Sequence, residues 1–130
     1  MDKAMQDVTL GTMGFAFASG TVGVAAGQTL RLSVVNLGDS DATVIRGWTS
    51  NPHPLSLGQD SRALAPGESW DSDLKDSDLS QEILDKTGRA QIRAFVRSTS
   101  RTVCANLEVF DNDTRRTSII LPLQEVVQRE

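Results

Sequence analysis

Apolar residues occupy every second position in several short stretches of this chain. Across 29–36, Leu30, Leu32 and Val34 alternate with Arg31, Ser33 and Val35. That period of two is the mark of a half-buried strand. Across 89–98, Ala90, Ile92, Ala94 and Val96 take one face, and Arg89, Gln91, Arg93, Phe95 and Arg97 take the other. Across 103–110, Val103, Ala105, Leu107 and Val109 face inward, opposite Cys104, Asn106, Glu108 and Phe110. Across 69–74, Trp70, Ser72 and Leu74 oppose Ser69, Asp71 and Asp73. Weaker strand signals lie at 14–18, 22–24, 42–48, 55–64 (an edge strand) and 117–121.

The punctuation between them is that of turns. Ala65-Pro66-Gly67 and Asp111-Asn112-Asp113 reverse the chain, and Pro52 and Pro54 break any ladder. One segment differs: Asp78 with Gln81 resembles a capping box, Leu79, Ile83 and Leu84 fall at helical spacing, and Gly88 would end the helix. The pattern predicts an all-β chain, an Ig-like antiparallel two-sheet sandwich of seven or eight strands with one short helix near 78–86. A small barrel is the competing shape. A parallel α/β sheet would need covering helices that the pattern lacks. The expected division is a flexible N-terminal arm at 1–11, the sandwich at 12–122 and a polar tail at 123–130.

Composition narrows this picture. The 130 residues suit one domain, and with no Tyr, four Phe and two Trp the core must be aliphatic. The net charge of −4 argues against wholesale binding to nucleic acid or anionic membrane. A single cysteine, Cys104, cannot form an intrachain disulfide, and residues 1–10 lack the apolar run of a signal peptide. No apolar run spans a bilayer. The expectation is a cytoplasmic protein, with leaderless export left open.

Four stretches together carry a resemblance: Gly27-Gln28-Thr29-Leu30-Arg31-Leu32-Ser33-Val34-Val35-Asn36, Leu64-Ala65-Pro66-Gly67-Glu68-Ser69, Gln91-Ile92-Arg93-Ala94-Phe95-Val96 and Leu107-Glu108-Val109-Phe110-Asp111-Asn112. Thr114, Arg116-Thr117 and Pro122 follow. The pattern resembles a group of small uncharacterised bacterial proteins with predicted Ig-like sandwiches, over about residues 14–122. It departs from the group around 48–59, where Asn51-Pro52-His53-Pro54 stands in place of a strand, turn and strand. The resemblance implies the fold and supplies no activity.

Little in the chain suggests chemistry. His53 is the only histidine, and no Gly-x-Ser-x-Gly elbow accompanies it. Cys104 reads as a small buried hydrophobe. Residues 68–86 carry seven acids against Lys75 and Lys86, a balance of −5. The pairs Asp71/Asp73 and Asp76/Asp78 could offer oxygens to calcium, but the EF-hand spacing is missing and no metal site is assigned. Residues 89–116 carry six arginines against three acids, a balance of +3. Arg89, Arg93, Arg97 and Arg101 recur every four residues, which on a strand keeps them on one face. A solvated surface or self-association of basic face with acidic segment fits such a stripe, while nucleic-acid binding is disfavoured because no aromatic platform beyond Phe95 accompanies the arginines and the whole chain is acidic. Trp48 and Trp70 suit core or half-core positions better than exposed ones.

The expectation is a non-catalytic structural or interaction module without cofactor. Its partner would be another copy or another protein, and no membrane. The candidate contacts are Arg89, Arg93, Arg97 and Arg101 with Asp71, Asp73, Asp76 and Asp78, helped by sheet edges and the terminal segments. The alternative is a monomeric module binding a carbohydrate or other small ligand at Trp48, Asn51 and His53, where sandwich loops usually hold such sites.

Overall fold

The alternating stretches fold as strands. The computed structural model describes residues 14–51, 56–79 and 83–126. Its strands are β1 (Phe15–Ala18), β2 (Val22–Val24), β3 (Gln28–Asn36), β4 (Ala42–Asn51), β5 (Ser56–Leu64), β6 (Ser69–Lys75), β7 (Ala90–Ser98), β8 (Val103–Asp111), β9 (Thr117–Pro122) and β10 (Gln124–Val126). One sheet has the order β10-β1-β7-β4-β5, with β2 also paired to β7, and the other has the order β6-β3-β8-β9. The pairings are antiparallel. The expected two-sheet sandwich forms. It has ten strands rather than seven or eight, because Val22–Val24 and Gln124–Val126 each pair in their own right.

Both sheets feed one aliphatic core. Leu30, Leu32, Val34 and Leu107 come from the four-stranded sheet, and Val44, Ile92 and Val96 from the six-stranded one, all at most 1% exposed. Each such side chain contributes about 1.5–3 kcal/mol by leaving water. Trp48, 2% exposed, and half-buried Trp70 add the aromatic bulk. β1 and β2 share one flank of β7, and the jog between them is bridged by Ser19. Its N–H donates to the Ala94 carbonyl at 3.0 Å, and its hydroxyl accepts from the Ala94 N–H at 2.9 Å.

A buried polar hub fixes one end. Asn36 is fully buried and donates to the carbonyls of Ser40 and Leu64, both at 2.9 Å. Its Oδ1 accepts from the Gly38 N–H and the Thr102 hydroxyl. Every polar atom of the side chain is satisfied, so the β3–β4 loop, the end of β5 and the β7–β8 turn are tied together.

Two expectations are corrected. In place of a helix near 78–86, a 3₁₀ turn covers Asp76–Asp78 and Leu79 is already extended. Leu84 then bridges to Ala90, and Asp85 to Gly88 forms a hairpin turn whose Gly88 has φ 77°. Gly88 thus supplies a left-handed turn position, not a helix end. Residues 80–82 lie outside the described residues. The sandwich runs past the expected boundary at 122: Leu123 is buried and Gln124–Val126 pairs with β1. The expected arm at 1–11 lies outside the described residues, as do residues 127–130. Among the described residues no helix is long and apolar enough to cross a membrane.

Candidate interaction surface

Strand parity sends Gln91, Arg93, Phe95 and Arg97 of β7 to the outside of the six-stranded sheet, where Arg93 and Arg97 are exposed. The register surrounds them with small or uncharged residues. Arg97 lies between Ala16 and Ile45, Phe95 between Ala18 and Gly47, and Arg93 beside Thr49. Gly47 is what lets the Phe95 ring lie down on the sheet. A Cβ there would stand 2.4 Å from the ring's Cζ.

Arg89 continues the stripe just before β7, its Cδ 3.4 Å from where a Gly23 side chain would begin. Arg101 does not. It sits in the turn after β7, pairs with Glu125 at 2.8 Å and covers the Phe15 ring, its guanidinium carbon 5.1 Å from the centroid. Three of the four arginines therefore share the face, and Arg93 and Arg97 have no ion pair among the described residues. No described strand position on this face carries a carboxylate. Asp85 reaches its Arg89 end from the preceding turn by accepting from Gln91 Nε2 at 2.9 Å. Hydrogen bonds from Thr87, Gln91 and the Arg89 N–H hold the Asp85 carboxyl well below the usual carboxylate range.

Arg115 and Arg116, which extend the basic run in sequence, lie at the β8–β9 hairpin of the other sheet. The basic stretch is split between two sides of the molecule.

The outside of the four-stranded sheet has the opposite character. Asp71, Asp73 and Glu108 face out around Arg31. Asp73 grips Arg31 through both oxygens, at 2.8 and 3.0 Å, and the guanidinium carbon lies 5.0 Å from the Phe110 ring centroid. This cover leaves the outward Phe110 only 6% exposed. The hydrogen bonds Arg31 donates to Asp73, with the fields of Asp73, Asp71 and Glu108, raise the Arg31 pKa further. Cys104, expected to be buried, is exposed on this same face.

The acidic candidates do not converge. Asp76 accepts from the Gly27 N–H at 2.7 Å, tying the 3₁₀ turn to the β2–β3 turn, and Asp78 accepts from the Lys75 N–H at 2.8 Å as the cap of the 3₁₀ turn. Among the described residues no group of three or more His, Cys, Asp or Glu side chains is placed to hold a metal ion. The alternative loop site loses its aromatic wall, because the Trp48 ring is in the core. Asn51 ends β4, and His53 lies outside the described residues.

One feature escaped the sequence reading. Arg46 faces inward at the seam between β5 and β6, donating to Asp60, with its guanidinium carbon 5.3 Å from the Trp70 centroid and 5.8 Å from that of Trp48. Its Nε is buried without a hydrogen-bond partner. Position alone could have found it, since Arg46 shares parity with Val44 and Trp48.

No family model and no curated protein matches the chain. Among solved structures it is similar to the one described as the crystal structure of Thermotoga maritima 1070, with a TM-score of 0.55 and 13% identity. The match covers 85% of this chain and 92% of that one. At that identity the likeness establishes the fold.

Proposed function

We propose that this protein is a non-catalytic structural module, working inside the cell, that assembles with copies of itself. The observation that carries the reading is the contrast between its two outer faces. One presents Arg93 and Arg97 unpaired around a flattened Phe95. The other presents Asp71 and Glu108, without an ion pair among the described residues, beside the Arg31–Asp73 pair, with Lys75 at the far end of the same face. Apposed across a contact, unpaired charges of opposite sign steer association and fix its register. The two faces lie on opposite sides of the sandwich, so the contact is head to tail and repeats into open stacks or rings.

Light scattering behind a size-exclusion column tests this. The full chain should show a mass above 14.1 kDa at low salt that falls as salt screens the contact. A monomer at every concentration and ionic strength would rule the assembly out.

A further inference from the structure

One end of the four-stranded sheet's outer face is hollow. A cavity of about 290 Å³ opens there, lined by Thr29, Asp73, Lys75, Phe110, Asn112 and Arg115. It is at the small end of the range for ligand sites. The register sets Lys75, Thr29 and Phe110 in one cross-strand row, with Asp73 two residues before Lys75 on β6. Asn112 and Arg115 come from the β8–β9 hairpin. That hairpin is pinned over the row by the Asn112 N–H, which donates to the Gly27 carbonyl at 2.8 Å, and by the Thr29 hydroxyl, which donates to Asn112 Oδ1.

Hydrogen-bond donors dominate the cavity. Lys75 and Arg115 have no ion pair among the described residues. Asn112 is engaged through its oxygen, which leaves two amide N–H donors. The charge of Asp73 is matched by Arg31, yet its oxygens keep further lone pairs. Of the neighbouring acids, Asp76 is committed to the Gly27 N–H and Asp111 to Gln28 Nε2 at 3.1 Å, while Asp113 is exposed on the hairpin and does not line the cavity.

Arg115 adds an independent sign. Its φ is 61°, the one positive value outside glycine among the described residues. Bonds from its N–H to the Asp111 carbonyl and from the Asp111 N–H to the Arg116 carbonyl, both 2.9 Å, hold it in a hairpin position that glycine fills without strain. Backbone strain kept at a cavity-lining residue is characteristic of sites that contact a ligand.

We infer that this cavity binds a small oxyanion carrying hydroxyl groups, about the size of a pentose phosphate. Lys75, Arg115 and Asn112 would hold the oxyanion, and Asp73 would accept from a hydroxyl. The inference does not depend on the assembly reading.

NMR titration of the full chain in phosphate-free buffer tests it, with ribose 5-phosphate, gluconate, inorganic phosphate and ribose as probes. Ribose 5-phosphate or gluconate should shift the amides of Lys75, Asn112 and Arg115 saturably, and whichever binds tighter separates phosphate from carboxylate. Ribose should shift none of them. Arg115→Gly should weaken binding at least about tenfold, the loss of one charge-assisted contact, while leaving the melting temperature equal or higher. Lys75→Ala should also weaken binding. Absence of saturable shifts with either charged sugar, or wild-type affinity in Arg115→Gly, would overturn the proposal. Inorganic phosphate binding as tightly as ribose 5-phosphate would overturn the role given to Asp73.

Discussion

The two outer faces of this sandwich solve the same electrostatic problem differently. On the four-stranded sheet, Arg31 is held by both oxygens of Asp73 and roofs Phe110, so cation, anion and aromatic ring satisfy one another within the chain. On the six-stranded sheet, Arg93 and Arg97 flank a Phe95 pressed onto Gly47, and no carboxylate on the strands answers them. Both faces have an arginine beside a phenylalanine. What separates them is where the arginine's counter-charge lies: the six-stranded face leaves its cations unanswered, and the four-stranded face pairs Arg31 with Asp73 and still has Asp71 and Glu108 to spare.

Removing the unanswered charge should have the largest effect. Arg93→Glu with Arg97→Glu should weaken self-association about a hundredfold or more, by analogy with reversed charges at other interfaces, and change folding stability by less than about 0.5 kcal/mol. Sedimentation and thermal melts read the two quantities separately. Gly47→Ala keeps the arginines and lifts the ring. It should cost about 1 kcal/mol of stability and about tenfold in association, showing whether the flat aromatic matters beside the charge. Arg31→Ala should act in the opposite sense, costing up to about 1 kcal/mol in urea melts by exposing Phe110 while strengthening association by freeing Asp73 on the acidic face.

The smallest effect concerns Asp85, the acid that touches the basic face. Its carboxyl is lowered in the folded chain, so its contribution to stability is complete above the unfolded value of about 3.9 and is lost as pH falls below it. Asp85→Asn should therefore flatten the acid limb of the stability curve and leave the neutral region nearly parallel to wild type.

Strand parity made much of this legible. The inward and outward sets of β6, β7 and β8 follow directly from alternation, because each strand packs one face on a dry core. The helix near 78–86 failed for an instructive reason. Leu79, Ile83 and Leu84 do turn toward the core, but Leu84 does so from an extended bridge to Ala90, and spacing alone cannot tell that from a helical turn. The site was legible only in part. Periodicity grouped Arg89, Arg93 and Arg97, yet the ion pair to Glu125 that takes Arg101 away arises from a strand, β10, too short and polar to be read. The cavity at Lys75 and Arg115 joins residues forty positions apart, and only the register of β3, β6 and β8 brings them together.

The most direct test of head-to-tail assembly is a mixing experiment. One copy would carry Arg93→Ala and Arg97→Ala, which blocks the basic face. The other would carry Asp71→Ala and Glu108→Ala, which blocks the acidic one. Each copy alone should run near the 14.1 kDa monomer mass by light scattering. Mixed at equal concentration, the two should form a complex of twice that mass and stop there, because only one intact pair of faces remains. A mixture that stays monomeric, while the wild-type chain assembles, would contradict the pairing of these two faces.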